Sequence, residues 1–188
     1  VVLKDLGQLD AAVKSYEKAL AINPSYANAC NNLGITLKEL GQLDAAVKSY
    51  EKALVIKPDF AEAHNNLGNA LDELGQLDAA IKCYEKAVAI KPGYSEAHNN
   101  LGNAFKNLAK LDAAVKCYEK AVALKPDYAE AYHNLGNSLL SLKRLDEALA
   151  SYERAIVLKP DINFILGDLL HTKMQLCIWD DLSSQLDE

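Results

Sequence analysis

Apolar and polar positions alternate along this chain with a helical rhythm that restarts every 34 residues. In the stretch from Ala61 to Tyr94, Ala63, Leu67, Ala70, Leu71 and Leu74 form one apolar stripe. Their spacing predicts a first helix over about 61–74. Gly75 is placed to end it in the left-handed backbone region, and Asp78 to open a second helix near its positive end. Ala80 and Ala87 keep the facing surface of that helix small, and Pro92 forbids its continuation. Gly68 falls inside the first helix, where it costs about 1 kcal/mol relative to Ala. A close approach by the second helix would justify that cost, and Tyr84 is the candidate. Asp59 with Glu62, and Asp127 with Glu130, are expected to cap the first helices that follow them.

The pattern repeats in phase. Gly34, Gly68, Gly102 and Gly136 lie one period apart, as do Tyr16, Tyr50, Tyr84, Tyr118 and Tyr152, and Pro24, Pro58, Pro92, Pro126 and Pro160. A fixed period of this length predicts a solenoid of stacked helix pairs rather than one closed core. The expected organisation is a partial repeat over 1–26, four repeats at 27–60, 61–94, 95–128 and 129–162, and a capping or junction helix within 163–188. The unit resembles the tetratricopeptide repeat (TPR), whose Leu-Gly…Ala…Tyr/Phe…Ala…Pro pattern it reproduces. That resemblance implies an all-α, right-handed superhelical array of antiparallel helix pairs.

Composition narrows the functional classes. Half of the 188 residues are hydrophobic and the formal net charge is −6. An acidic balance argues against a nucleic-acid or anionic-membrane surface, and no apolar run approaches a transmembrane length. Val1 falls inside a repeat, so the natural start is expected upstream. Cys83 and Cys117 occupy equivalent sites in adjacent repeats. Helices pack about 8–10 Å apart, too far for a disulfide between such sites. They are read as half-buried thiols, which fits a cytoplasmic protein. His64 and His98 are likewise one period apart and suit packing between helices better than metal ligation. No catalytic constellation, metal site or cofactor loop stands out, and His171 is given no role.

Asparagine is the informative polar residue. Asn32, Asn66, Asn100 and Asn134 lie two residues before the repeat glycine, and Asn69, Asn103 and Asn137 follow it directly. The two rows share one face of the first helix. Asn costs about 0.5–0.7 kcal/mol against Ala within a helix, so local propensity does not select these residues. An amide both donates and accepts, and a column of them suits the backbone of an extended peptide. Intra-repeat hydrogen bonding, or simple copying of the repeat, accounts for the same recurrence. Lys and Arg would be needed beside these residues to clamp a peptide's terminal carboxylate. The flanking positions instead carry Glu62, Glu96 and Glu130 on one side, and Glu39 and Glu73 on the other.

After Pro160 the pattern breaks. Asp161 is placed to cap a last helix that keeps Gly167. Ile162, Phe164, Ile165, Leu166, Leu169 and Leu170, then Leu176, Ile178, Trp179 and Leu182, offer more apolar surface than one neighbouring repeat covers. Either a capping helix or a docking surface for a further domain fits. The run from Leu170 to Leu182, with Cys177, Trp179 and Asp181, is similar to the junction between repeats and catalytic region in SPINDLY-like O-GlcNAc transferases, with Ile178 in place of their usual Asp. This resemblance implies a substrate-recruiting repeat domain, with Asn32, Asn66, Asn100 and Asn134 on that family's peptide-binding ladder and the glycosyltransferase region beyond Glu188. A stand-alone adaptor for protein assembly is the alternative. Both imply protein or peptide partners, with self-association through the array ends possible, and neither needs a cofactor within these residues.

Overall fold

A computed structural model describes residues 8–160 and 163–178. Among them are ten α-helices and no strand: α1 (Leu9–Ile22), α2 (Ala27–Glu39), α3 (Leu43–Ile56), α4 (Ala61–Glu73), α5 (Leu77–Ile90), α6 (Ser95–Asn107), α7 (Leu111–Leu124), α8 (Ala129–Ser141), α9 (Leu145–Leu158) and α10 (Asn163–Gln175). The chain divides into two compact units, Val1–Ala97 and His98–Glu188, with the boundary inside α6. In the first unit the most extensive contacts are within the pairs α2–α3 and α4–α5, and in the second within α8–α9. Each such pair is a helical hairpin closed by a turn of a few residues. No described helix is long and apolar enough to cross a membrane.

The hairpins form because two surfaces of the sequence match. In the first unit α5 buries Ala80, Tyr84 and Ala87, and α3 buries the equivalent Ala46, Tyr50 and Ala53. Small residues on either side of each tyrosine let the partner helix approach. The repeat glycine completes the fit. A Cβ placed on Gly68 would stand 2.5 Å from Tyr84 Cε1, and one on Gly34 would stand 2.5 Å from Tyr50 Cε1. In the second unit Gly102 and Gly136 meet Tyr118 and Tyr152 in the same way, each at 2.6 Å. The glycine expected to admit the second-helix tyrosine does so.

First helices end in a recurring turn. At Gly75 (φ +74°) the backbone is left-handed. Gly75 N–H donates to the Asp72 carbonyl and Gln76 N–H to the Leu71 carbonyl, both at 2.8 Å. This pair of bonds is the Schellman motif. It recurs at Gly41, Ala109 and Lys143, and once more at Cys177, where Cys177 N–H reaches Met174 and Ile178 N–H reaches Lys173. The first helices start differently from the sequence expectation. Phe60 and Tyr128 occupy the N-cap positions, and neither makes a side-chain capping bond. Asp59 and Asp127 therefore do not cap. The lysine three residues before each aromatic residue lies over its ring: Lys57 Nζ is 4.8 Å from the Phe60 ring and Lys125 Nζ 4.9 Å from the Tyr128 ring. Glu62 turns instead to Lys91, at 2.8 Å.

The turn at Cys177 shows that α10 is a first helix in repeat phase. Ile165, Leu169 and Thr172 stand one period after Ala131, Leu135 and Ser138, and all three are buried, Ile165 and Leu169 within the second unit's core. Leu170, not Gly167, takes the repeat-glycine position, and a Cβ on Gly167 would meet nothing within 4 Å. The expectation that Gly167 preserves the repeat glycine is thus corrected. Asp161, Ile162, Trp179, Asp181 and Leu182 lie outside the described residues.

Candidate peptide-binding face

All seven asparagines singled out by the sequence are half-buried on first helices. Asn69, Asn103 and Asn137 have a common partner. The Tyr84 hydroxyl donates to Asn69 Oδ1 at 2.8 Å, Tyr118 to Asn103 at 2.7 Å and Tyr152 to Asn137 at 2.8 Å. Burial pushes these phenols well above their ordinary pKa, so they remain donors at neutral pH. This row therefore fastens each first helix to its own second helix. Where the row is interrupted the tyrosine loses its acceptor: Ile35 stands at the equivalent site, and the buried Tyr50 hydroxyl has no hydrogen-bond partner.

The other row bridges successive repeats. Asn66 Nδ2 donates to Asn31 Oδ1 at 3.0 Å within the first unit, and Asn134 Nδ2 donates to Asn99 Oδ1 at 3.1 Å within the second. Each bond joins residues 35 apart, one repeat plus one residue. The last rung changes chemistry but not position. Asp168 takes the place of the asparagine and accepts from His133 Nε2 at 2.9 Å. Asn32 makes no side-chain hydrogen bond within the described residues, and Asn100 is engaged. The partners in these rungs, Asn31 and Asn99, are themselves buried, as is Asn65. Sequence reasoning passed over them. The signal was present in the Asn-Asn doublets at 31–32, 65–66 and 99–100, whose first member recurs in phase three times before His133 replaces it.

Charge beside these rows is partly neutralised. Glu73 pairs with Lys38 at 2.6 Å, and Glu62 with Lys91, whose hydrogen bond holds the Glu62 carboxyl below its usual pKa. Asn65 Nδ2 lies 3.4 Å from Glu96 Oε1. The face thus presents carboxylates and amides together, a surface for polar backbone and basic groups rather than for a terminal carboxylate. At the C-terminal end Cys177 is exposed and left-handed at the recurring turn.

Stacked hairpins with a small-residue seam, a glycine–tyrosine contact and a turn repeated in phase define a helical-repeat protein. The chain belongs to the tetratricopeptide repeat family: its TPR-repeat model matches residues 2–41, 36–75 and 68–108, and a second tetratricopeptide repeat model matches 99–171. Comparison with curated proteins finds no match. Among solved structures the chain is similar to MamA, with 28% identity, a TM-score of 0.78, and 84% of this chain and 92% of that one covered. It is similar to TTC0263, a thermophilic TPR protein of Thermus thermophilus, at 28% identity and TM-score 0.71 over 93% and 95% of the two chains. It also resembles YrrB, described as a TPR protein with an unusual peptide-binding site, at 26% identity and TM-score 0.73 over 92% and 87%.

Proposed function

We propose that this chain is a scaffold that binds extended polypeptides along the asparagine-bearing faces that the first helices present within each of its two units, without catalysis by its own residues. The rungs carry this reading. Each uses one amide hydrogen of Asn66 or Asn134 and so fixes the orientation of a half-buried group that retains a second N–H and a carbonyl oxygen. Fixed amides lose little entropy when a peptide backbone binds. The likeness to YrrB supports the same use. The test is fluorescence polarisation against a library of extended peptides, comparing the parent chain with Asn66→Ala/Asn134→Ala at a temperature where both are folded. The double variant should bind about tenfold more weakly or worse, each hydrogen bond being worth about 0.5–1.5 kcal/mol. Unaltered affinity would sink the proposal.

The finer reading is a substrate-recruiting repeat domain of a SPINDLY-like O-GlcNAc transferase in the cytoplasm. Its support is the run around Cys177, Trp179 and Asp181 together with the asparagine positions. The catalytic region and its nucleotide-sugar site then belong to sequence outside residues 1–188. A stand-alone adaptor is the second reading, favoured by Cys177 occupying the ordinary repeat turn. Reading the transcript past the codon for Glu188 separates them: a glycosyltransferase region supports the first, and any other continuation the second.

A further inference from the structure

The row that holds Asn100 and Asn134 continues one period later at Asp168 in α10. All three residues belong to the second unit. The exchange changes what this position can do. An asparagine amide donates and accepts, whereas a carboxylate only accepts and carries a charge. Copying of the repeat does not account for it, because every earlier member of the row, from Asn32 onwards, is an amide. Asp168 also differs from the acidic residues that flank the rows. Glu62 and Glu73 are each paired with a lysine, at 2.8 and 2.6 Å. Among the described residues the Asp168 carboxylate has one partner, His133, and the side chain is 40% exposed.

The chemistry of the site follows from that one bond. A carboxylate offers only lone pairs, so His133 Nε2, 2.9 Å from Asp168 Oδ2, carries the hydrogen. A neutral imidazole gives this hydrogen and leaves the carboxylate's charge in place. Asp168 Oδ1 makes no hydrogen bond within the described residues. The charge also reaches the second asparagine row. Burial, and then the Asp168 carboxylate, push up the pKa of the Tyr152 phenol, which donates to Asn137. A held, part-exposed carboxylate oxygen thus stands in line with the amides. A single cationic donor completes it. An arginine fork takes both oxygens of a carboxylate, and Oδ2 is already engaged. An ammonium needs only one.

We propose that Asp168 selects a lysine of the bound polypeptide, whose ε-ammonium donates to Asp168 Oδ1 while the peptide backbone runs along Asn134 and Asn100. This rests on the reading of the asparagine-bearing face as a peptide site and names one side chain that the site prefers. The lysine lies within the peptide rather than at its end. Asp168 stands in the row itself, drawn towards α8 by His133, and a four-carbon stem reaches it while the backbone continues. Neighbouring helices pack about 8–10 Å apart and an extended chain rises about 3.3 Å per residue, so each step along the row spans roughly three residues. A peptide with a central lysine and about six residues on either side therefore covers Asp168, Asn134 and Asn100 in either direction.

The experiment is fluorescence polarisation at pH 8 and low salt with labelled, end-blocked peptides of alanine, serine and threonine. They differ only at the central residue, which is lysine, norleucine or glutamate. The lysine peptide should bind the parent chain about fivefold tighter than the norleucine peptide, the most that a part-exposed ion pair supplies. The glutamate peptide should bind most weakly, and added salt should shrink the lysine preference. Asp168→Asn keeps an acceptor for His133 and restores the amide of the earlier repeats. It should bring the lysine and norleucine peptides within about twofold of each other. His133→Asn restores the residue of the earlier repeats at that position and keeps the charge, so it should retain the lysine preference. Equal affinity of the parent chain for the lysine and norleucine peptides, or a preference that survives Asp168→Asn, would overturn the assignment; binding of the norleucine peptide would leave the peptide site standing. Binding of none of the three peptides would overturn both. A lysine-free peptide with an unblocked N-terminus that binds as tightly as the lysine peptide would overturn the side-chain source.

Discussion

Tyr50 and Tyr84 occupy the same site in adjacent repeats and are both fully enclosed, yet only Tyr84 has an acceptor for its hydroxyl. The contrast gives a direct measure of one hydrogen bond in a fixed setting. Tyr84→Phe should cost about 1 kcal/mol, because it leaves the Asn69 oxygen without its donor, whereas Tyr50→Phe should be neutral or stabilising. Thermal melts of the two variants check this, and equal losses would contradict it. A second residue-scale effect comes from His64. Its folded pKa lies below the ordinary value of 6.5 because burial disfavours the charged ring. The unfolded chain therefore binds its proton first as pH falls, and the stability contributed by the neutral ring is present above about pH 6.5 and lost below it. The melting temperature should decline between pH 7 and pH 5.5, before the carboxylates titrate. His64→Phe should flatten that part of the profile; an unchanged slope would show that another group is responsible.

At the scale of the helix, the left-handed turn is a shared device filled by different residues. Gly41 and Gly75 adopt it without strain, but Ala109 (φ 56°) and Lys143 (φ 62°) carry a Cβ there. A non-glycine residue in this region costs about 1–2 kcal/mol. The extra unfolded-state entropy of glycine returns part of any gain. Ala109→Gly is accordingly expected to stabilise by up to about 1 kcal/mol, and Gly75→Ala to destabilise by about 1 kcal/mol. Urea unfolding midpoints measure both, and shifts of the same sign would refute the argument. The same turn clarifies α10. Its register is set by backbone bonds at Cys177 and by burial of Ile165, Leu169 and Thr172, although Leu169–Leu170 stands where the other first helices carry Leu-Gly.

At the scale of the array, successive repeats are joined by apolar burial and by the polar rungs. Stability in such proteins is approximately a sum of repeat and interface contributions. Asn66→Ala and Asn134→Ala each break one interface rung and leave a buried partner, Asn31 or Asn99, short of a donor. Each should cost about 0.5–1.5 kcal/mol despite the better helix propensity of Ala. The two rungs share no residue, so the double variant should lose the sum of the single losses. A double variant no less stable than either single one would show that the rungs are not interface bonds.

The sequence alone determined the period, the all-helical class, the seam of Ala80, Tyr84 and Ala87, and the glycine that admits the tyrosine. These follow from local spacing, volume and backbone preference, which are written residue by residue. It also marked the asparagine rows as significant. Only the tertiary structure decided what each amide holds, because a rung between residues 35 apart depends on how one helix lies on the next. The Asp59 and Asp127 caps failed for a related reason: the Lys-Pro-x-aromatic connection, folded on itself, placed Phe60 and Tyr128 where a capping side chain was expected. Gly167 looked like the repeat glycine because composition records which residue is present, whereas register is fixed by the hydrogen bonds and burial that only the folded chain makes.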